Sequence, residues 1–437
     1  AALEATGYIL ANLNNILEVD EQHPERLKKL QDFCETWLAR AWRRELTVEE
    51  RKSYIEQQFA ATDPPEAAKR VLILGLKSPQ FLYRDIQPQN TPFARAEQLA
   101  WALWDSLPDQ SLRDAAAKNE LQTPEQIRDQ IERMLRDTRA VFKLKSFLLA
   151  WLKADQIQDL AKDQTKFPGF DEALIADLRT SLELQLEDFL RSGGDVLATA
   201  DVRDLFRQRQ IYLNGRLAKF YGIDAPADAP FAKYELNPNE RAGVLTHPYL
   251  MTSFAHNATT SPIHRGVFLA RGILGMSLRP PPEAVAPLAP DLHPDLTTRQ
   301  RVALQTKANV CMSCHGIINP LGFALEQFDA VGRFRTEENG QPIDASGSYL
   351  TRDGQLVKVN NARELADFLL SSSEAQEAFC TQLFHHLIQQ PVRAYGSQSA
   401  PELVTTLVEG NHQLKPLIIA ILLKSTLAPP PNFADTP

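Results

Sequence analysis

Cys311-Met312-Ser313-Cys314-His315 constrains this chain more than any other stretch of it. Positions i and i+3 lie on one side of a helical turn, so the two thiols can form thioethers with both vinyl groups of one haem while the adjacent imidazole reaches the iron. A bare Cys-x-x-Cys also serves redox dithiols and half zinc sites. The histidine directly after the second cysteine selects c-type haem attachment. His315 is the proximal ligand on this reading, its second ring nitrogen donating to a backbone carbonyl that sets the tautomer. Pro320, in Asn319-Pro320-Leu321-Gly322, marks the loop expected to carry that carbonyl. Met312 sits inside the motif, pointing away from the iron, and is no ligand.

The rest of the chain reads as mainly α, a multi-helix protein in which a monohaem cytochrome c module is embedded, with minor β-hairpin content and a proline-rich extended segment. Leu27, Leu30, Phe33, Trp37 and Leu38 recur at helical spacing, and Thr47-Val48-Glu49-Glu50 offers a capping box to the next helix. A break is expected at Ser78-Pro79. Helices are expected over Ala94–Trp104, from Thr123-Pro124 onward, over Val141–Leu152, over Phe170–Leu190 and over Ile211–Tyr221. Ala225 to Pro230 marks a domain edge, and Pro280-Pro281-Pro282, Pro287, Pro290 and Pro294 make an extended segment. Thr297 to Ala308 is a helix leading into the motif. Asn339-Gly340, Asp344 to Gly347 and Asp353-Gly354 are turn signals between short strands. Helices over roughly 361–371, 374–390 and 400–425 finish the chain. The expected modules are therefore 1–60 (N-terminal helical), 61–225 (all-helical), 226–360 (haem c) and 361–437 (C-terminal helical).

The chain has 437 residues and a net charge of −8, a balance that argues against nucleic acid and anionic membranes and suits a basic redox partner better. The longest apolar run, Leu417 to Leu423, is far short of the ~20 residues that span a bilayer. Haem is attached through thioethers on the exported side of the bacterial membrane, so a periplasmic or secreted location is expected. The chain starts Ala1-Ala2-Leu3-Glu4, as though an export signal had been removed. Two cysteines remain, Cys34 and Cys380; an oxidising compartment would allow a disulfide between them, and two separate buried thiols are the alternative.

What faces His315 across the iron decides the chemistry. Met251, His256, His264 and Met276 are the candidates for the distal ligand. Methionine gives a higher-potential electron-transfer haem, histidine a lower one, and an open position permits peroxide or oxygen chemistry. Each candidate has a plainer role available, core packing for the methionines and structural hydrogen bonding for the histidines. His385-His386 cannot readily chelate one ion, because adjacent helical residues point about 100° apart. Arg333 and Arg335 are placed to reach haem propionates through their planar forks, or to pair with Glu326 or Asp329.

The run from Cys311 to Arg335, with Gly243–Met251 and Ser261–Gly266, resembles the cytochrome module of the planctomycete-type cytochrome c family. Arg40–Thr47, Phe81–Asp85 with Ala100–Asp109, and Leu383–Gly396 resemble that family's other modules. The resemblance implies a secreted multi-module protein with one haem. It supplies no activity and no distal ligand. The expected function is electron transfer with a redox partner protein. The alternatives are a haem-dependent oxidoreductase with an open or displaceable sixth position, for which the family's setting suggests a link to polysaccharide breakdown, and a binding module that haem merely staples.

Overall fold

The computed structural model describes residues 1–83, 91–155, 160–278 and 293–428. The protein is mainly α-helical, with three small two-stranded antiparallel sheets. It divides into two compact units, one formed by Ala1–Met134 with the segment from Leu422, the other by Leu135–Ile421. The boundaries fall at the end of the helix Pro124–Leu135 and within the helix Leu414–Leu427.

In the first unit the helix Arg26–Ala41 buries Leu30, Cys34, Leu38 and Ala41 along one stripe, the i, i+4, i+8 pattern of a core-facing helix. Leu27, expected on this face, is exposed. The helix Pro64–Lys77 packs against it at Gly75, where a Cβ would stand 2.6 Å from Leu38 and 2.9 Å from Trp37. The Arg40–Thr47 segment is a staple. Trp42 is buried and donates from Nε1 to the Gly75 carbonyl at 3.3 Å. Arg43, in the left-handed region at φ 63°, pairs with buried Glu97 at 2.8 Å. Its Nη2 also reaches the carbonyl of Gln80 at 2.7 Å. Thr47 and Glu50 form the expected capping box, and the Ser78-Pro79 break is present.

The second unit departs from expectation in three places. Residues 211–221 are not one helix: Gln210–Leu213 is a strand paired with Ala232–Glu235, and Asn214 then caps the short helix Gly215–Phe220. The partner strand lies some twenty residues on, beyond the reach of a periodicity reading. Residues 400–425 form two helices, Ser399–Glu409 and Leu414–Leu427, parted by a turn in which Asn411 and His412 take φ of 53° and 60°. Asn319 and Pro320 lie within the helix Asn309–Phe323, not in a loop. The turn signals at Asn339-Gly340 and Asp353-Gly354 do sit in hairpins, Glu337–Glu338 with Gln341–Pro342 and Gly347–Leu350 with Leu356–Val359. Of the proline-rich segment, Pro280 to Pro290 lies outside the described residues, as do Arg84 and Asp85. No helix among the described residues is long and apolar enough to cross a membrane.

Candidate functional site

The helix Asn309–Phe323 carries the Cys-x-x-Cys-His segment in its first two turns. Cys311 and His315 are separated by about 40° around the axis, and Ile318 and Gly322 continue the same face toward the C-terminus. That far end is clamped. The helix Pro262–Val267 crosses it so closely that a Cβ on Gly266 would run into the Ile318 carbonyl, and one on Gly322 into the Pro262 carbonyl. Gly347, opening the strand Gly347–Leu350, comes equally close to the Pro320 carbonyl.

Arg265 locks the crossing. It is 0% exposed and donates from Nη1 to the carbonyls of Leu325 at 2.7 Å and Phe328 at 2.8 Å, and from Nη2 to Asp329 at 3.0 Å. A cation here satisfies carbonyls just past the helix end and complements its dipole. Buried Glu326 faces it at 3.5 Å and accepts from the Thr260 hydroxyl at 2.8 Å. Burial pulls the Arg265 guanidinium down to about 10 and holds the Glu326 carboxyl above its usual range.

His315 is held by a relay of side chains. The Thr306 hydroxyl donates to the Val302 carbonyl at 2.8 Å, so its lone pair accepts from Asn319 Nδ2 at 2.8 Å. The Asn319 oxygen is thereby turned to His315 Nδ1, 2.9 Å away, and must accept from it. In its neutral form the imidazole is therefore the Nδ1–H tautomer, with the lone pair on Nε2. The expected backbone carbonyl is replaced by a side-chain amide one turn along the same helix, because Pro320 sits in the helix and not in a loop. The preceding helix, Thr298–Gln305, supplies the relay's anchor. It starts with a Thr297/Gln300 capping box and is tied to Glu338 through the Thr298 amide (2.9 Å) and hydroxyl (2.7 Å).

Cys311, Cys314 and His315 are all partly open to solvent, and Val310 and Met312 beside them are 70% and 45% exposed. Both thiols are free. Among the described residues no three His, Cys, Asp or Glu side chains gather to hold a metal ion. The donor set fits the group expected from the motif, with two accessible thiols and an Nε2 left clear of the relay on one helical stretch.

The other expected residues are placed as follows. Met251 is fully buried. Met276 Sδ lies 3.5 Å from the Tyr349 hydroxyl. His256 and His264 face each other, ring centroids 5.2 Å apart, and burial holds both below the usual histidine range. Arg335 pairs with Glu326 at 3.6 Å and Glu338 at 3.7 Å, the ion-pair alternative. Arg333 lies over the Phe220 ring at 4.0 Å and donates to the Phe220 carbonyl at 3.2 Å. Cys34 and Cys380 are both buried. Each is a free thiol in its own apolar surroundings, pushed up to about 12 by burial. His386 packs on Phe147 at 5.5 Å.

The sequence reading passed over His247. It is buried and accepts at Nδ1 from the Tyr249 amide at 3.2 Å, so its Nε2–H points at Ser181 Oγ, 3.2 Å away. Ser181 in turn donates to the Tyr212 carbonyl at 2.5 Å. Burial, with the Arg241 charge nearby, lowers this imidazole to about 3. His247 followed by Pro248 reads as a helix N-cap, the one sequence signal that could have singled it out.

Comparison with known proteins gives two family matches, each described as a protein of unknown function. Residues 91–223 match PSD4 (DUF1592) and residues 241–338 match PSCyt3 (DUF1588). No curated protein and no solved structure matches. Both matched names are those of planctomycete cytochrome-type domains, and over these two segments the chain is similar to that family.

Proposed function

We propose that this protein is an exported c-type monohaem cytochrome that exchanges electrons with a protein partner. Cys311 and Cys314 would hold the haem through thioethers, and His315 would ligate its iron through Nε2. A haem held in this way supplies a reversible one-electron change at its iron. The observation that carries the reading is the Val302–Thr306–Asn319–His315 relay. It commits Nδ1 as a donor and so presents Nε2 as a lone pair, the orientation that second-shell partners give to metal-bound histidines. A histidine with no such duty has no need of a three-residue relay to hold one tautomer. The Gly266/Gly322 crossing and Arg265 fix the helix that bears all three residues.

Expression in a host with a periplasmic haem-attachment system tests this. The full chain should gain the mass of one haem that survives denaturation and should cycle reversibly between oxidised and reduced spectra. Absence of covalent haem would defeat the proposal, and Cys311→Ala with Cys314→Ala should abolish attachment.

A second reading, an oxidoreductase with an open or displaceable sixth position, draws on the surroundings of the four distal candidates. Met251 is buried in the core, Met276 contacts Tyr349, and His256 and His264 face each other. Carbon monoxide and cyanide separate the two. Ready binding to the purified haem protein supports the oxidoreductase; an unreactive six-coordinate spectrum supports the electron carrier. A haem that does not cycle at all would leave the stapled binding module.

A further inference from the structure

A second opening in the Leu135–Ile421 unit is lined by none of Cys311, Cys314 and His315. It is a cleft of about 400 Å3 between the strand pair Gln210–Leu213/Ala232–Glu235, the segment 237–248 and the turn at Arg333-Phe334. The volume lies within the range of small-molecule sites. Its walls include Leu236, Pro248 and Phe334, and two arginines look onto it. Arg241 donates from Nη1 to the carbonyls of Thr246 at 2.9 Å and Gly332 at 3.1 Å, and its guanidinium stands 4.9 Å from the Phe328 ring centre. Arg333 is braced on Phe220, as described above. For Arg241 the Nε and Nη2 groups, and for Arg333 the Nε and Nη1 groups, make no hydrogen bond among the described residues.

The missing partner is what sets this place apart. The three buried arginines among the described residues each carry a carboxylate, Glu97 for Arg43 at 2.8 Å, Glu326 for Arg265 at 3.5 Å and Glu338 for Arg301 at 3.8 Å. Neither Arg241 nor Arg333 has one within ion-pair distance among the described residues. The single carboxylate of the lining, Glu240, accepts from Asn237 at 2.5 Å. Glu240 and Asp329 act on Arg241 only from beyond ion-pair distance, and two guanidiniums positioned by carbonyls and aromatic faces, with donors left over, make a site for an external anion. Burial already disfavours the charge on Arg241, so an arriving anion would relieve a cost the fold now bears. The apolar walls favour a ligand that also has a hydrocarbon or ring body.

We propose that this cleft binds a small organic carboxylate, its carboxyl group on Arg241 and Arg333 and its body against Leu236, Pro248 and Phe334. The site stands apart from the haem proposal and holds or fails without it.

Isothermal titration calorimetry of the full chain with phenylacetate, butyrate and galacturonate, each against its neutral amide, provides the test. At least one acid should bind saturably, and its amide at least about tenfold more weakly, as expected for loss of a charge-assisted pair. Arg333→Gln should weaken the acid by a similar factor, and Leu236→Trp, which fills the cleft from its edge, should abolish binding. Far-UV circular dichroism shows that each variant is folded. Equal binding of acid and amide, binding untouched by Leu236→Trp, or no saturable heat with any of the three acids would overturn the proposal. The acid–amide comparison needs no variant, so a misfolded substitution cannot mask the result.

Discussion

The helix Asn309–Phe323 has two halves built for different ends. From Asn309 to Gly316 no side chain is fully buried, and apolar Val310 and Met312 stand in solvent beside the two thiols. From Ile318 to Phe323 every side chain but that of Pro320 is buried, glycines meet carbonyls at both crossing points, and Arg265 caps the carbonyls that follow. Pro320, which cannot donate to the Gly316 carbonyl, falls near the junction. Asn319 belongs to the buried half but reaches back to His315. The difference teaches that rigidity and reactivity are separated along one helix. The clamped half costs the fold if it is altered, whereas the open half should be nearly silent in stability and decisive for chemistry.

Substitutions grade this contrast. In the clamped half, Gly322→Val should be among the most damaging, since its side chain would occupy the Pro262 backbone; urea unfolding should show a loss of more than about 4 kcal/mol or no folded protein. Arg265→Leu leaves Glu326 buried without its partner and the carbonyls uncapped, and should lower unfolding free energy by about 3–5 kcal/mol. A smaller loss in either case would show that the clamp is softer than its geometry.

Acid gives a middle-sized effect. His247 titrates at about 3 when folded and at about 6.5 when unfolded. Between those values the unfolded chain binds the extra proton, so stability is full above pH 6.5 and falls as pH is lowered toward 3. The slope from this one group is at most about 1.4 kcal/mol per pH unit. His247→Gln, which keeps an amide near Ser181, should flatten the dependence of the urea midpoint between pH 7 and pH 5. An unchanged slope would transfer the acid sensitivity to other groups.

Smaller still is Asn319→Ala, at about 1 kcal/mol, but its signature is specific. Nitrogen-15 spectra of the haem-free protein should show His315 as the Nδ1–H tautomer in the wild type and a tautomer mixture in the variant. Smallest of all, Cys311→Ser should change haem-free stability by no more than about 0.5 kcal/mol. A large loss there would erase the distinction between the halves.

How far the sequence was legible follows the range of the interactions. Local devices were readable: the Thr47/Glu50 capping box, the Ser78-Pro79 break and the Asn339-Gly340 turn depend on neighbours within a few residues. The strand at Gln210–Leu213 was missed because its partner Ala232–Glu235 is remote and its own apolar spacing suits a helix as well. Glycines 266 and 322, unremarkable in a single sequence, turn out to be where two helices touch. Of the candidate site, Cys311, Cys314 and His315 stand out by spacing alone, while Arg333 and Arg335 were left between haem propionates and ion pairs with Glu326 or Asp329, of which Arg335 makes the pair with Glu326. Which partner a long side chain meets is a three-dimensional question.

By itself the sequence determined that this is a mainly helical chain in which two thiols and an imidazole fall on adjacent turns, since helical periodicity and Cys-x-x-Cys-His spacing are properties of a few consecutive residues. Tertiary structure alone decided that Asn319 and Thr306 hold Nδ1 of His315, that Arg265 of the 261–266 segment is buried against the carbonyls past the next helix, and that Arg241 and Arg333 share a cleft with no carboxylate in ion-pair distance among the described residues. Those outcomes depend on which buried polar groups meet across dozens of residues, and the requirement that each find a partner once water is gone can be met only after the chain has closed on itself.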